Sequence, residues 1–427
     1  MALCRSAVPI FLEVCMKKIN YEILNYMLLA AVALSPLFLT SCGGSGGETE
    51  KKAFDDKKVL SILNGNEKLP SQKNCKDCEE KYKSAGPLIY SGQCGEAMDL
   101  LEKLDRKEYF IASETIARMY EVGTCAPRNM NKAFEWYMKS AEQGSLAARY
   151  NVALMYMNGD GVEQNMTAAA EHFAYASRGG IIQAKRMLGI MFLEGSGVNA
   201  DPAVSFELFE SAAKDGDAES AVQLASLYAA GRGVEQNKEK AVEILTKAAA
   251  KGNTAAKRNL ALAYYMGDGV KQNYNRAFEW AVQASAKGDA EAQNLMAGMY
   301  LRGEGTKKNI AKAEEWKKRV AAAGYPQVQF ELGEWYYSGK DLKKDYKKSL
   351  ELFEKAGKAG YAPALYNAGV QYERGDGVKA DKGKAVYYYQ RAAAAGLKAA
   401  EEALKRNGAA ALEAADGKEE GKAAKKN

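Results

Sequence analysis

The sequence predicts an all-α protein, an α-solenoid of about eight 36-residue helix-turn-helix repeats with degenerate caps. Three observations predict it. A glycine returns every 36 residues at Gly123, Gly159, Gly195, Gly231, Gly267, Gly303, Gly339 and Gly375. A second glycine column keeps the same step at Gly144, Gly180, Gly216, Gly252, Gly288, Gly324, Gly360 and Gly396. Between the two columns stands an Asn or Asp: Asn129, Asn165, Asp201, Asn237, Asn273, Asn309, Asp345 and Asp381. Two glycines mean two turns per unit, and the Asn/Asp column supplies an N-cap for a second helix. A unit of two short helices cannot bury its own apolar faces, so neighbours must stack.

With 427 residues, 47% hydrophobic and 27% charged, the chain has ordinary globular composition. The formal net charge of +6 is spread through the units without a basic stripe, so no nucleic-acid partner is expected.

Taken in order, residues 1–41 are expected to be an N-terminal extension and signal. Lys17 and Lys18 precede an apolar run from Met27 to Leu39 that ends in Leu39-Thr40-Ser41-Cys42. At about 1.5 Å per residue the run is too short to cross a ~30 Å hydrocarbon core, and Pro36 interrupts it. It resembles a bacterial lipoprotein signal peptide. That resemblance implies cleavage before Cys42, lipidation of Cys42, and, with Gly43 following, a place at the outer membrane. Met16 is the expected initiator. Residues 42–72, opening with Gly43-Gly44-Ser45-Gly46-Gly47, are read as a flexible tether. Residues 73–108 are expected to be a degenerate capping repeat, with a second helix matched through Ala97.

The eight repeats span 109–396. On each first helix small residues (Ala112, Ala148, Ala184), then apolar ones (Ile116, Val152, Leu188), then aromatic ones (Tyr120, Tyr156, Phe192) follow at i, i+4, i+8. The glycine three residues beyond the aromatic ends that helix. The turn reads Gly-Asp-Gly-Val at 159, 267 and 375, whereas repeat 7 has Gly339-Lys340-Asp341-Leu342 and is expected to change loop shape there. Second helices set small residues (Ala133, Ala169, Ser205) three before bulky ones (Trp136, His172, Leu208), which lets neighbours interlock. Residues 397–406 are expected to form a closing helix, and 407–427 a disordered tail.

The alanine-rich helix with Leu188-Gly189 or Leu332-Gly333, the Gly-x-Gly-Val turn, the Asn/Asp cap and the closing glycine together resemble the Sel-one-like repeat, a relative of the tetratricopeptide repeat. The resemblance implies a right-handed superhelix that serves as an adaptor between proteins, without catalysis or cofactor.

Four cysteines remain beyond Cys42. Cys94 falls at the first turn of a second helix, and Cys125 replaces a turn glycine of the next unit, so both lie at one end of the stack. Cys75 and Cys78 lie toward the other end. The expected disulfides are Cys94–Cys125 and Cys75–Cys78, with zinc at the Cys75-x-x-Cys78 pair as the alternative.

The chemistry of a catalyst is missing from this sequence. His172 is its single histidine and stands in a packing column, so Ser-His and Cys-His systems are not supported. The Gly-x-Gly segments lack the Gly-Lys-Ser/Thr of a phosphate loop, and Asp160, Asp268 and Asp376 lack the alternating ligands of a calcium loop. The rival readings are a cell-wall hydrolase, a glycan-binding envelope protein or a secreted host-interaction factor.

One first-helix column changes identity while its neighbours stay apolar: Asn151, Met187, Gln223, Asn259, Leu295, Glu331 and Asn367. Its amides are candidates for holding an extended peptide from an envelope protein by its backbone. The same amides could instead bind their own turns.

Overall fold

The computed structural model of the chain describes residues 56–69, 75 and 77–407. The expected signal with Met16, the lipidation residue Cys42 and the tail after Asn407 lie outside the described residues. Every regular element among the described residues is a helix. Sixteen helices, from Phe110–Val122 to Lys382–Ala394, form the eight repeats. The two helices of a repeat pack on each other, and each second helix packs on the first helix of the next repeat, which makes an α-solenoid.

Each repeat closes by the same local bonds. All eight first helices end at their column glycine, with φ between 65° and 86°. The cap residue then ties the two helices together. Its backbone N–H donates to the carbonyl of the aromatic column, as from Asn129 to Tyr120 and from Asp201 to Phe192, both at 2.8 Å. Its side chain accepts the amide three residues on, as Asn165 does from Ala168 at 3.0 Å. Turn and helix start are therefore one unit, and losing such a cap costs about 1 kcal/mol.

The second turn glycine answers to a neighbour. A Cβ at Gly233 would strike the carbonyl of Pro202, the first residue of the preceding second helix. Repeat 7 lacks this glycine, and its loop differs as expected. The backbone N–H of Lys340 reaches only Ser338 Oγ at 3.5 Å, where Asp376 donates to the Gln371 carbonyl at 3.0 Å. Leu342 turns inward and is buried with Val320, Val328, Leu332 and Tyr336.

Rings lock alternate repeat junctions. Phe134 meets Tyr156, Phe206 meets Tyr228 and Phe278 meets Tyr300, all edge-on at 5.1 to 5.3 Å. Such pairs add about 0.5–1.5 kcal/mol beyond the area they bury. In repeat 2 this column holds Ala170 instead of a ring.

The tether reading needs correction where it is described. Residues Lys57–Leu63 form a helix that packs on Met166–Arg178, the second helix of repeat 2. Val59 and Ile62 are completely buried and share a cluster with Ala170, Phe173, Ala174 and Phe192. Lys58 pairs with Glu171 at 2.5 Å, Asn199 donates to Asp56 at 2.7 Å, and Tyr175 and Arg178 both bind Glu67. Charge and glycine hid two apolar residues three apart, which suffice for one docked face.

At the ends, the first half of the N-terminal cap is two short helices, Cys78–Lys83 and Ala85–Tyr90, followed by Cys94–Asp105. Buried Asp105 joins this cap to repeat 1, accepting from Ser113 at 2.7 Å, Lys139 at 2.5 Å and Gln143 at 2.9 Å. Burial pushes its carboxyl up, but these donors outweigh it and hold it below the usual range. The closing helix covers residues 398–407, one residue further than expected, and Asn407 donates to Glu373 at 3.2 Å.

Candidate functional site

The column from Asn151 to Asn367 lies on the first helices, and all seven side chains are half-buried. Those helices also meet one another directly, Ala218–Ala230 touching Thr254–Met266, which touches Ala290–Arg302. The helical repeat of 3.6 residues explains the placement: the column precedes the buried Val152, Leu188 and Leu260 by one position, so it borders the core without entering it.

Four of the seven are amides, and their bonding separates the two expectations. The side-chain amides of Asn151, Gln223 and Asn367 make no hydrogen bond to any described residue, their own turns included. Asn259 accepts only from the adjoining Arg258, at 3.3 Å. Met187 and Leu295 pack against the cores of their repeats. Glu331 departs from the row, because it is the counter-ion of Lys317 and also accepts from Gln327 at 3.1 Å. Lys317 is nearly inaccessible and also donates to Asn294 at 2.5 Å. Burial pulls the Lys317 ammonium down, against the lift from Glu331.

Arginines just before the row brace consecutive first helices. Arg186 binds Asp217 at 2.8 Å and Glu219 at 3.0 Å, and Arg258 binds Asp289 at 3.3 Å and Glu291 at 3.2 Å. Both aspartates are N-caps of the next first helix. The row is thereby held on a fixed frame, which lowers the ordering cost of binding.

His172 does not have the setting of a general base. Burial, aided by Arg149 and Lys58, drives it down from 6.5 to about 4. Its Nδ1 has no hydrogen-bond partner among the described residues, and its ring lies 5.7 Å from that of Tyr156. A neutral, packed imidazole at neutral pH fits the core role expected of it.

The structure pairs Cys94 with Cys125, Cα atoms 5.0 Å apart, and Cys75 with Cys78, 5.3 Å apart. Cys75, Asp77 and Cys78 bring three potential ligand atoms within 4.8 Å of one another. Both sulfurs are committed to the disulfide, and Asp77 is engaged by Lys81 at 2.7 Å and Lys107 at 2.9 Å. That donor set does not fit zinc, which needs thiolates.

Two features escaped the sequence reading. The docked helix Lys57–Leu63 was signalled only at a distance, by alanines at 170 and 174, where the other repeats place Phe, Val, Leu or Glu at the first position and a longer or branched side chain at the second. The Lys317–Glu331 pair was hidden because its members sit on different helices.

Comparison with known proteins places the chain among repeats of one kind. The Sel1 repeat matches residues 109–145, 146–181, 182–217, 218–253, 254–289, 290–325, 326–361 and 362–397. A solved Sel1 repeat protein from Oxalobacter formigenes is 28% identical over 81% of this chain and 99% of that one, with a TM-score of 0.62. A protective antigen of uropathogenic Escherichia coli with an SLR fold is 26% identical over 78% of this chain and 82% of that one, with a TM-score of 0.54. No curated protein matches the chain.

Proposed function

Because the chain belongs to the Sel1 repeat family, whose members generally act as protein-interaction scaffolds, we propose that it is an adaptor of the bacterial cell envelope. It is held by acyl chains on Cys42, at the outer membrane, and binds envelope proteins along its first helices without catalysis. The observation that carries this reading is the row of unbonded amides at Asn151, Gln223 and Asn367 on a braced helical frame. Half-buried amides with no partner among the described residues present both donors and acceptors, as an extended backbone requires.

Two further points support the reading. The lipobox-like Leu39-Thr40-Ser41-Cys42 favours an acyl anchor. The Escherichia coli relative is a protective antigen, which favours placement outside the cytoplasm.

The test is affinity capture after mild crosslinking in native cells, comparing wild type with the Asn151→Ala, Asn259→Ala, Asn367→Ala triple variant. A partner captured by the wild type and lost by the variant, at equal helicity, is the expected result. Equal capture by both would remove the amide row from the function. Mass analysis of the N-terminal peptide tests the anchor separately: a free thiol on Cys42 would overturn it.

A further inference from the structure

Between the first helices of repeats 4 and 5 the amide row borders a hollow of about 210 Å³, with Asn259 in one wall and the second helix of repeat 4 as another. Two alanines make it. Ala263 stands in a column filled by Met155, Met191, Leu227 and Met299, all buried in the core, and no other repeat has so short a side chain there. Ala229, on the preceding first helix, lines the same hollow and is likewise the shortest of its column, which holds Met157, Leu193, Tyr265 and Leu301 elsewhere. The hollow is therefore the volume that long core side chains take up in the rest of the array.

Its lining fixes what it can take. The only charges there, Lys238 and Asp268, neutralise each other at 2.7 Å. Apart from these two, Ser226 and Asn259, every lining side chain is apolar. An apolar cavity of about 150 Å³ is enough to take up benzene, so this one has room for a methionine, leucine or phenylalanine side chain and disfavours a charged one. The rim adds two features. Asn259 accepts from Arg258, which leaves its amide N–H groups without an acceptor among the described residues. Met266 is 69% exposed at the end of the same helix, in a column that carries Asn158, Glu194, Arg302, Ser338 and Arg374 in other repeats. An exposed, flexible thioether beside an apolar hollow can fold over a guest.

We propose that this hollow is the specificity pocket of the amide row. It takes one long apolar side chain, of the methionine, leucine or phenylalanine kind, from an extended segment of a partner protein, while Asn259 donates to a main-chain carbonyl of that segment. The proposal rests on the reading of the row as a peptide-binding face and supplies the residue by which a partner is chosen. Main-chain bonds are the same for any sequence, whereas a pocket discriminates between sequences.

The probe is a phage-displayed library of random nonapeptides, selected on the full chain. Enriched sequences should share one Met, Leu or Phe. An enriched peptide, labelled with fluorescein and titrated by anisotropy, should bind at least tenfold more weakly to Ala263→Met and to Ala229→Met, which put back the side chains of Met191 and Met157. Replacing its apolar anchor by Ala should weaken binding to the wild type as much, and should change nothing further in Ala263→Met, because both changes remove one contact. No enrichment, enrichment without a shared apolar residue, or equal binding by Ala263→Met at native helicity would overturn the proposal. So would anchors recurring every three or four residues, which mark a helix in place of an extended segment. Failure of the underlying reading looks different: anchored peptides that are lost in Ala263→Met but bind Asn259→Ala at full strength would keep the pocket and remove the amide row.

Discussion

Cys125 occupies the position of the second turn glycine, and the sulfur it adds is bonded to Cys94, the first residue of the preceding second helix. In six other repeats the same two positions touch as glycine against backbone, for example Gly161 against Met130 and Gly233 against Pro202. The disulfide is a covalent form of a contact that the array makes elsewhere without sulfur. Cys125 keeps the left-handed backbone of the glycine it replaces, at φ 62°.

This relationship predicts an asymmetry between substitutions. Removing a crosslink between residues 31 apart should cost about 3–4 kcal/mol. Cys94→Met with Cys125→Gly, which recreates the ordinary contact, should recover about 1 kcal/mol over Cys94→Met with Cys125→Ala, because alanine resists positive φ. Urea unfolding of the two variants decides it, and equal midpoints would refute the equivalence.

His172 gives the array an acid sensitivity. Its folded value lies near 4 against an ordinary 6.5. Stability is therefore unaffected above the ordinary value and declines as the pH falls from there toward 4, where the unfolded chain binds the proton that the folded one refuses. Arg149 and Lys58 face the ring and oppose its charging. His172→Leu, the residue of repeat 3, should gain about 2 kcal/mol near pH 5 relative to its effect near pH 8. Thermal or urea melts at both pH values check this, and a pH-independent effect would contradict the burial argument.

Ala170→Phe should expel the helix Lys57–Leu63 while giving repeat 2 the ring that repeats 1, 3 and 5 carry. Amide exchange at residues 57–63 should rise at least tenfold, and the main unfolding transition should move little. Unchanged exchange would mean that Ala170 does not make the room for Val59 and Ile62.

The Lys317–Glu331 pair predicts unequal losses. Lys317→Ala leaves Glu331 half-buried without its counter-ion and should cost about 3 kcal/mol. Lys317→Met with Glu331→Gln removes both charges and should cost less than half as much. Calorimetry of the two variants measures the difference.

The period made the repeats legible, since each column has one physical task that it performs eight times. The Asn/Asp caps bind the amides assigned to them, and the column glycines adopt positive φ. Legibility failed where a contact obeys no period. Lys57–Leu63 is too short to be stable alone, and its charged neighbours resemble a linker. The pocket that makes it helical belongs to Ala170 and Ala174, more than a hundred residues away. Glu331 misled for a related reason: its column is set by the first helix, but its partner Lys317 arrives from another helix.

Residues 56–69 reach past the cap and repeat 1 to hold repeat 2, and no comparable return contact closes the other end among the described residues. The solenoid therefore has a mechanical polarity. Force applied through the N-terminal segment enters at repeat 2, so the disulfide-braced cap and repeat 1 hang in a slack bight and carry no load until the clasp gives way. Force applied at repeat 8 meets one stacking interface at a time and can unzip the array in steps. Were the N-terminal end fixed, the C-terminal repeats would yield first and the clasped end would remain folded.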